Sequence, residues 1–297
     1  MPLLIGVLPN IFAWKSLVAR EKLAVDMKSY LADKQPSGSL FLKLRQEHNR
    51  NFGLALEDCV RAEIGQVIAA TGSTGVSAFW GVWQILAHPE VFADCSKETA
   101  ALVGTDEDGN HTIDLSRVRS ACPILVSAWQ EILRFHGLSV QARAVQEDTI
   151  LDNKYLLKKG ALVMMPTRVL HSDEETWGPN VRQFNHKRFL KTETPRGDEK
   201  RVPLAGFRGL GGGHVICPGR HFATGEILSF IVLLLVRFDI QPVAGKWTEP
   251  KKDFAMNAAF PQPLDRVEVR LAVKDQRRWT VLFSDSDEAV KVVAEDE

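Results

Sequence analysis

Three consecutive glycines stand just before a cysteine in the segment Gly211-Gly212-Gly213-His214-Val215-Ile216-Cys217-Pro218-Gly219-Arg220. Glycine has no side chain, so this run permits unusual backbone angles and lets the chain approach a flat ligand closely. Pro218 fits the first position of a helix, and the pattern predicts a helix from Pro218 to Arg237. Cys217 is therefore predicted at a helix N-terminus, where free amides and the helix dipole favour a thiolate.

A thiolate beside such a loop has the geometry for axial ligation of heme iron, and one class of heme enzymes uses this ligand. Two other interpretations stay open from the residues alone. A lone cysteine is often a small buried hydrophobe, and a glycine-rich run before a helix could cradle phosphate. The phosphate interpretation lacks the preceding apolar strand and the lysine that such motifs require.

Composition excludes some classes of function. The chain is 45% hydrophobic and 25% charged, which is ordinary for a soluble globular protein. Its formal net charge is zero, so no global electrostatic feature favours nucleic acid or an anionic membrane surface. Its four cysteines form no C-x-x-C pair, which indicates reduced, intracellular cysteine usage.

Two apolar stretches are too short to span a membrane. Met1 to Trp14 lacks a basic start and is interrupted by Pro9-Asn10. Ile231 to Val236 is followed at once by Arg237, so we expect it to form a buried core helix.

Hydrophobic periodicity predicts a mainly α fold with a small β portion. The predicted helices are 12–31, 39–51, 56–87, 89 to about 103, 123–135 and 218–237. The predicted strands are 139–146, 149–151, 155–157 and 161–164, with further short strands up to about residue 283. Residues 105–110 are predicted as a turn and 191–216 as a long irregular segment, which favours a functional role.

We find no linker that divides the chain. The sequence therefore predicts one domain over residues 1–284. It is followed by an acidic tail, residues 285–297, which we expect to be disordered.

The pair Glu131 and Arg134 is the second feature that carries chemistry. Residues three apart share a helix face and can form an ion pair, although most such pairs lie on the surface and contribute little. The predicted helix around them is largely apolar, so we expect the pair to be buried and to need further hydrogen bonds. Arg188 is the candidate third member.

The long helix through Gly72-Ser73-Thr74-Gly75-Val76 is the third feature. Each glycine inside a helix costs about 1 kcal/mol relative to alanine, so small residues here suggest that a ligand approaches the backbone or that the helix kinks. Thr74 could then bond a ligand. The alternative is close helix–helix packing with Thr74 bonded to its own helix.

Taken together and in this order, these features resemble the cytochrome P450 family of heme-thiolate monooxygenases. The sequence from Gly211 to Ala223 is most similar to that of fungal members. It is also similar to the branch that contains sterol 7-hydroxylases and prostacyclin synthase. The stretch His171 to Trp177-Gly178 before Arg188 also follows the family's order. The resemblance covers nearly the whole chain, to about Leu271, but corresponds only to the C-terminal, heme-binding part of the fold. We therefore expect the N-terminal part, with its membrane anchor, to be absent, so that the chain is either truncated or works together with another chain.

The resemblance implies a role for each motif residue. Cys217 would be the iron ligand, with Gly211, Gly213 and Gly219 shaping its loop. Glu131, Arg134 and Arg188 would form a structural ion triad behind the heme, and Arg143 would reach a heme propionate. Thr74 would assist proton delivery during oxygen activation. The implied substrate-lining residues are Gly75, Val76, Leu138, Val140 and Ala258, the last in a hairpin from Met256 to Phe260.

Three positions depart from the family's pattern. Leu210 stands where an aromatic residue is usual, with Phe207 nearby. Val215 replaces a basic residue, so one propionate partner is missing. Ser73 replaces the acid that often precedes the helix threonine, which weakens the usual proton relay.

The resemblance implies a heme-dependent monooxygenase that oxidises a small apolar organic molecule, placed by analogy in fungal secondary metabolism. Its electrons would come from an NADPH-dependent reductase, and nucleic acid is not an expected partner. Family members usually sit on the endoplasmic reticulum membrane. Two alternatives stay open: a heme-thiolate isomerase or dehydratase that needs no external electrons, and a catalytically inactive fragment.

Overall fold

The computed structural model describes residues 13–32, 39–190, 192–193, 199–200, 206–255 and 258–284. Tertiary contacts divide the chain into two compact units, Met1–Gly72 and Ser73–Glu297. Each unit has an apolar cluster of its own.

In the described residues the helices are α1 (Trp14–Ala32), α2 (Leu40–Asn51), α3 (Leu56–Ala87), α4 (Pro89–Ala100), α5 (Val118–Ala121), α6 (Pro123–His136), α7 (Thr167–His171), α8 (Glu174–Trp177) and α9 (Arg220–Arg237). The strands are β1 (Val103–Thr105), β2 (His111–Asp114), β3 (Val140–Ala144), β4 (Thr149–Leu151), β5 (Tyr155–Leu157), β6 (Leu162–Pro166), β7 (Thr192–Glu193), β8 (Glu199–Lys200), β9 (Phe238–Pro242), β10 (Lys252–Asp253), β11 (Gln262–Pro263), β12 (Val269–Val273) and β13 (Trp279–Leu282). The predicted mixture of mainly helix with a small β portion is confirmed.

The predicted helices agree with the observed ones to within a few residues, the usual spread of helix ends. The prediction missed the β1–β2 hairpin around the turn at 105–110 and the helical turns at 115–121. These elements are too short to show a period. The segment predicted as irregular also contains the antiparallel pair β7–β8 and a 3-10 turn at Gly213–Val215. The predicted acidic tail, 285–297, lies outside the described residues.

In the first unit, α1, α2 and the first part of α3 share a small apolar cluster. Leu31, Val60 and Ile64 are its buried members. The Ser39 hydroxyl caps α2 by accepting a hydrogen bond from the Leu42 amide at 3.4 Å, which satisfies one of the free donors at that helix end.

In the second unit, the later part of α3 packs with α4, α6 and α9 around the larger core. Gly81 of α3 permits this packing, because a Cβ there would lie 3.1 Å from Ile231 Cδ1 and 3.7 Å from Ile132 Cδ1. The stretch predicted as a core helix is confirmed as one, since Ile231 and Val232 are buried. None of the described helices combines the length and the apolar character that crossing a membrane requires.

Helix α6 carries the predicted ion pair, and α4 fixes where it begins. Pro123 occupies the first turn of α6, where a missing N–H costs nothing. The Glu98 carboxylate of α4 accepts hydrogen bonds from the amides of Ile124 and Leu125, both at 2.9 Å. A carboxylate at a helix N-terminus also opposes the helix dipole favourably.

The β portion consists of small sheets around the helical core. Strand β2 pairs antiparallel with β1 and parallel with β13. Strands β3 and β6 pair antiparallel and enclose the hairpin β4–β5, whose turn holds Asp152 and Asn153 at positive φ. Strand β9 pairs with β12, and β10 with β11. The last pair flanks the segment that contains Ala258.

Candidate functional site

Cys217 lies in a short loop between the 3-10 turn and α9. Its amide donates to the Leu210 oxygen at 2.8 Å, and its own carbonyl accepts from the Arg220 amide at 3.2 Å. The main chain of Cys217 is therefore held on both sides. Its side chain is partly exposed, whereas the other three cysteines are buried.

Glycine is required in this loop for two different reasons. Gly211 has φ +88°, which a residue with a side chain rarely adopts, and a Cβ there would lie 3.1 Å from the Val215 oxygen. Gly209 lies against α6, where a Cβ would come within 2.7 Å of Leu133 Cβ. A Cβ at Gly213 would meet no described atom within 4 Å, and a Cβ at Gly219 would lie 3.9 Å from Cys217 Sγ.

The predicted helix start at Pro218 lies two residues before the observed one. Helix α9 begins at Arg220 with Gly219 as its N-cap, and Pro218 lies in the preceding turn. The reason is that the carbonyl of Cys217 closes a turn onto the Arg220 amide before the helical hydrogen bonds begin. Cys217 therefore lies before the N-cap Gly219, instead of at the N-cap position that a start at Pro218 implies.

Glu131 and Arg134 form a buried two-pronged ion pair in α6. Arg134 Nε donates to Glu131 Oε2 and Arg134 Nη2 to Oε1, both at 2.7 Å. Glu131 is 0% and Arg134 2% exposed. Paired, parallel hydrogen bonds of this kind are the strong form of the interaction.

Arg188 completes the network. Its Nε lies 3.1 Å from both oxygens of Glu131, and its terminal nitrogens donate to main-chain oxygens of Trp177, Asn180 and Gln183. The Asn185 amide donates a further bond to Glu131 at 3.0 Å. Such saturation of hydrogen bonds is what allows charges to be buried, so the structure brings together all three members of the predicted triad.

His171, the last residue of α7, connects this network to the cysteine loop. Its Nδ1 lies 2.9 Å from the Arg134 oxygen, and the Arg208 amide donates to its Nε2 at 2.9 Å. Burial lowers the pKa of His171 to about 4; the hydrogen bond to the Arg134 carbonyl opposes this, and the positive charges of Arg134 and Arg208 add to the lowering. Sequence reasoning gave His171 no role, because its partners lie 37 positions away on either side.

Phe207 packs the start of the loop into the core. It is 3% exposed, and its ring stacks on His171 with centroids 5.6 Å apart and planes 14° apart. Phe189 meets it edge-on at 5.2 Å. These contacts hold the residue before Arg208 against α7 and Phe189.

The Thr74 segment is part of the continuous helix α3. A Cβ at Gly75 would meet no atom of the described residues within 4 Å, so none of them packs closely against it. Thr74 is half-buried, and among the described residues its hydroxyl forms no hydrogen bond, whereas Thr71 bonds back to Val67. Thr74, Gly75 and Val76 thus lie beside space that the described residues leave open.

Three segments of the second unit that carry predicted lining residues are joined by hydrogen bonds. The Leu138 amide donates to the Ala259 oxygen at 2.8 Å, and Trp80 Nε1 of α3 donates to the Pro261 oxygen at 2.8 Å. Ala258 is half-buried beside these bonds. Met256, the first residue of this predicted hairpin, lies outside the described residues.

Arg143 and Val140 lie on β3. Val140 is half-buried and pairs with Pro166 in β6. Arg143 is exposed, and its guanidinium donates to the Ala142 oxygen at 2.8 Å. In the part of the chain that the structure describes, no hydrogen bond or ion pair joins Arg143, Thr74 and Cys217 to one another.

Comparison with known proteins identifies the same family that the cysteine loop and the ion-pair motif resemble. Residues 19–269 match the family model of cytochrome P450. The chain is 35% identical over 259 residues to cytochrome P450 monooxygenase nodJ of Hypoxylon pulicicidum, which is 84% of this chain and 50% of that protein. A cytochrome P450 monooxygenase of Gibberella zeae is 31% identical over 213 residues, 70% of this chain and 41% of that protein.

A mammalian relative covers more of the chain at lower identity. The cholesterol 7-alpha-monooxygenase of Cricetulus griseus is 25% identical over 289 residues, 92% of this chain and 57% of that protein. The chain thus spans about half the length of the curated relatives that it matches.

Proposed function

Because this chain belongs to the cytochrome P450 family, we propose that it is the heme-binding part of a monooxygenase and that Cys217 is the axial ligand of the heme iron. One observation carries the proposal. Of the four cysteines, Cys217 alone is not buried, and its main chain is held by Leu210 and Arg220.

The residues present fit a heme, the cofactor of this family. The glycine loop leaves the Cys217 side chain accessible, and the space beside Gly213 and Gly75 is free of described atoms. Two of the other thiols are poor ligands, because burial raises the pKa of Cys95 and Cys122 to about 12 and metals bind the thiolate. When bound, heme with a thiolate ligand supplies the oxygen chemistry of the reaction.

In this proposal the residues of the chain hold the heme and orient the groups around it. The buried network of Glu131, Arg134 and Arg188 stabilises the part of the core against which the cysteine loop packs. We assign the exposed guanidinium of Arg143 to a heme propionate. The Thr74 hydroxyl, which has no partner among the described residues, is our candidate for holding a proton or a water next to the reacting atoms.

The substrate that we propose is a small apolar organic molecule. The segments that would line its site present small or apolar side chains, namely Gly75, Val76, Leu138, Val140 and Ala258. The hydrogen bonds of Trp80 and Leu138 to the 259–261 segment support a common pocket for these residues. The fungal relatives named as monooxygenases support an oxidation in fungal secondary metabolism.

Electrons would come from an NADPH-dependent reductase, as they do in the family. We propose an intracellular setting, because all four cysteines are unpaired and unpaired thiols persist under reducing conditions. Family members are usually held at the endoplasmic reticulum membrane.

A heme-thiolate isomerase or dehydratase is the second candidate. The observation that favours it is Ser73, which is exposed on α3 where an acid would serve a proton relay. The two functions differ in their need for electrons. Conversion of an organic peroxide without any reductase would support the second candidate, and turnover only with NADPH and a reductase would support the first.

The deciding experiment is a carbon monoxide difference spectrum of the purified, heme-loaded and reduced chain. We expect the strongly red-shifted Soret band of a thiolate ligand, lost in Cys217→Ala and kept in Cys59→Ala, which removes a buried thiol. A red-shifted band that persists in Cys217→Ala would overturn the assignment. Failure of the chain to retain heme, together with sensitivity to protease, would favour an inactive fragment.

A further inference from the structure

We propose that His171 is a positioning residue that ties the cysteine loop to the buried Glu131 network and so fixes the orientation of Cys217 toward iron. The proposal rests on the proposed function, since it concerns the same ligand. The evidence for the proposal is the hydrogen-bond geometry of the His171 ring.

Both ring nitrogens of His171 are engaged, in opposite directions. The Arg208 amide can only donate, so Nε2, 2.9 Å away, must be the unprotonated nitrogen. Nδ1 therefore carries the proton and donates to the Arg134 oxygen at 2.9 Å. The two bonds fix one neutral tautomer and leave the ring no freedom to turn.

Arg134 holds His171 by a second, reciprocal bond. Its Nη1 donates to the His171 oxygen at 2.7 Å, while its other nitrogens bind Glu131. The position of the imidazole is thus set by the ion network of α6 and not by α7 alone.

On its other side, His171 fixes the first residues of the loop. The Arg208 carbonyl accepts from the Gly211 amide at 3.1 Å, and the Leu210 carbonyl accepts from the Cys217 amide at 2.8 Å. An uninterrupted series of short contacts therefore runs from Glu131 through Arg134, His171 and the Arg208–Leu210 segment to the main chain of Cys217.

The surroundings of the ring exclude most replacements. His171 is 2% exposed, stacked on Phe207 and edge-on to Trp177 at 6.1 Å. The site requires a flat group with a donor at one end and an acceptor at the other, which neutral histidine provides. The lowered pKa of His171, about 4, keeps it neutral at physiological pH.

His171→Phe is the main test, in the heme-loaded chain. It keeps a flat ring but leaves the Arg208 amide and the Arg134 oxygen without their partner. We expect part of the reduced, carbon monoxide-bound protein to move from the thiolate Soret position to that of a neutral ligand. We also expect heme to dissociate at least about tenfold faster, since each lost hydrogen bond of ~1 kcal/mol lowers a binding constant several-fold.

His136→Phe is the matched control. His136 is also 2% exposed, stacks on an aromatic ring, Trp80, and bonds Gln84 at 2.9 Å. It lies in the same unit, yet its contacts are with α3 and not with the cysteine loop. His136→Phe should keep the wild-type ratio of the two Soret bands.

Equal band ratios and heme dissociation rates in the two variants would overturn the proposal, because His171 would then contribute only general stability. His171→Gln, which keeps one donor and one acceptor, should lie between wild type and His171→Phe. If His171→Phe does not fold, His171→Gln against His136→Gln decides in the same way. A wild-type chain that lacks the thiolate band would contradict the proposed function itself, which separates the two failures.

Discussion

Trp80 donates its indole N–H to the main-chain oxygen of Pro261 across 2.8 Å, although the two residues are 181 positions apart in the chain. The Trp80 ring is fully buried, stacks on His136 with planes 17° apart and has Lys252 Nζ 4.8 Å from its centroid. The helix that carries Thr74 is thereby connected to the hairpin that carries Ala258.

Trp80→Phe should release that hairpin. The substitution keeps an aromatic ring but leaves the Pro261 oxygen without its donor, and we expect a loss of about 1–3 kcal/mol in the free energy of unfolding. Hydrogen exchange of amides in 258–263 should quicken, as followed by mass spectrometry.

Trp83→Phe is the control for that change. Trp83 is also buried, but its Nε1 has no partner among the described residues. Trp83→Phe should lose only the free energy of unfolding that comes from the smaller ring. Hydrogen exchange of the amides in 258–263 should stay as in wild type. Equal exchange in both variants would argue against the anchoring role of Trp80.

Glu131→Gln should be among the most damaging single changes. It leaves two buried guanidinium groups without their counter-charge, and removing one partner of a buried pair typically costs ~3–5 kcal/mol. Urea unfolding should show this loss. Lys154→Gln, which breaks a pair whose side chains are 69% and 71% exposed, should stay within about 0.5 kcal/mol of wild type. A similar midpoint for the two variants would contradict the network's importance.

Protonation of His171 should lower the free energy of unfolding as the pH falls. Its pKa in the folded chain, about 4, lies below the ordinary value of 6.5, so the unfolded chain takes up the proton first as the pH falls. The stability is fully present above about pH 6.5 and is lost progressively down to about pH 4. Between pH 7 and pH 5 this one group accounts for a loss of about 2 kcal/mol.

The His171→Gln variant isolates that contribution. It has no imidazole at this position, so its loss of stability between pH 7 and pH 5 should be smaller than that of wild type. Burial also lowers the pKa of His136, which adds a loss of the same sign to both proteins. An identical pH dependence for wild type and variant would contradict a neutral, buried His171.

Gly75→Ala should separate stability from ligand binding. Alanine is favoured over glycine inside a helix by about 0.5–1 kcal/mol, and the new methyl group would meet no described atom, so the variant should unfold at higher urea. Under the proposed function the methyl group enters the ligand space. The heme-loaded variant should therefore bind 4-phenylimidazole, a bulky iron ligand, more weakly in a spectral titration.

Gly65→Ala is the matched change for Gly75→Ala. Gly65 is another α3 glycine whose Cβ would meet nothing within 4 Å, and it is exposed. The variant should gain similar stability and bind the imidazole as wild type does. Unchanged binding in Gly75→Ala would place the ligand elsewhere.

The sequence by itself determined the features that depend on the spacing of residues close together in the chain. Apolar periodicity predicted α3 with its observed ends and α6 with its proline start. The pair Glu131 and Arg134 was readable because residues three apart share a helix face. The glycines before Cys217 indicated a backbone that side chains would not allow, and Gly211 at φ +88° has it.

Tertiary structure alone decided which distant polar groups meet. Nothing near Trp80 in the sequence points to Pro261, and nothing near His171 points to Arg208 or selects its tautomer. The start of α9 at Arg220 was likewise set by a turn closed at Cys217. The physical reason is that a buried polar group must find a partner wherever packing offers one, and such partners leave no period in the chain.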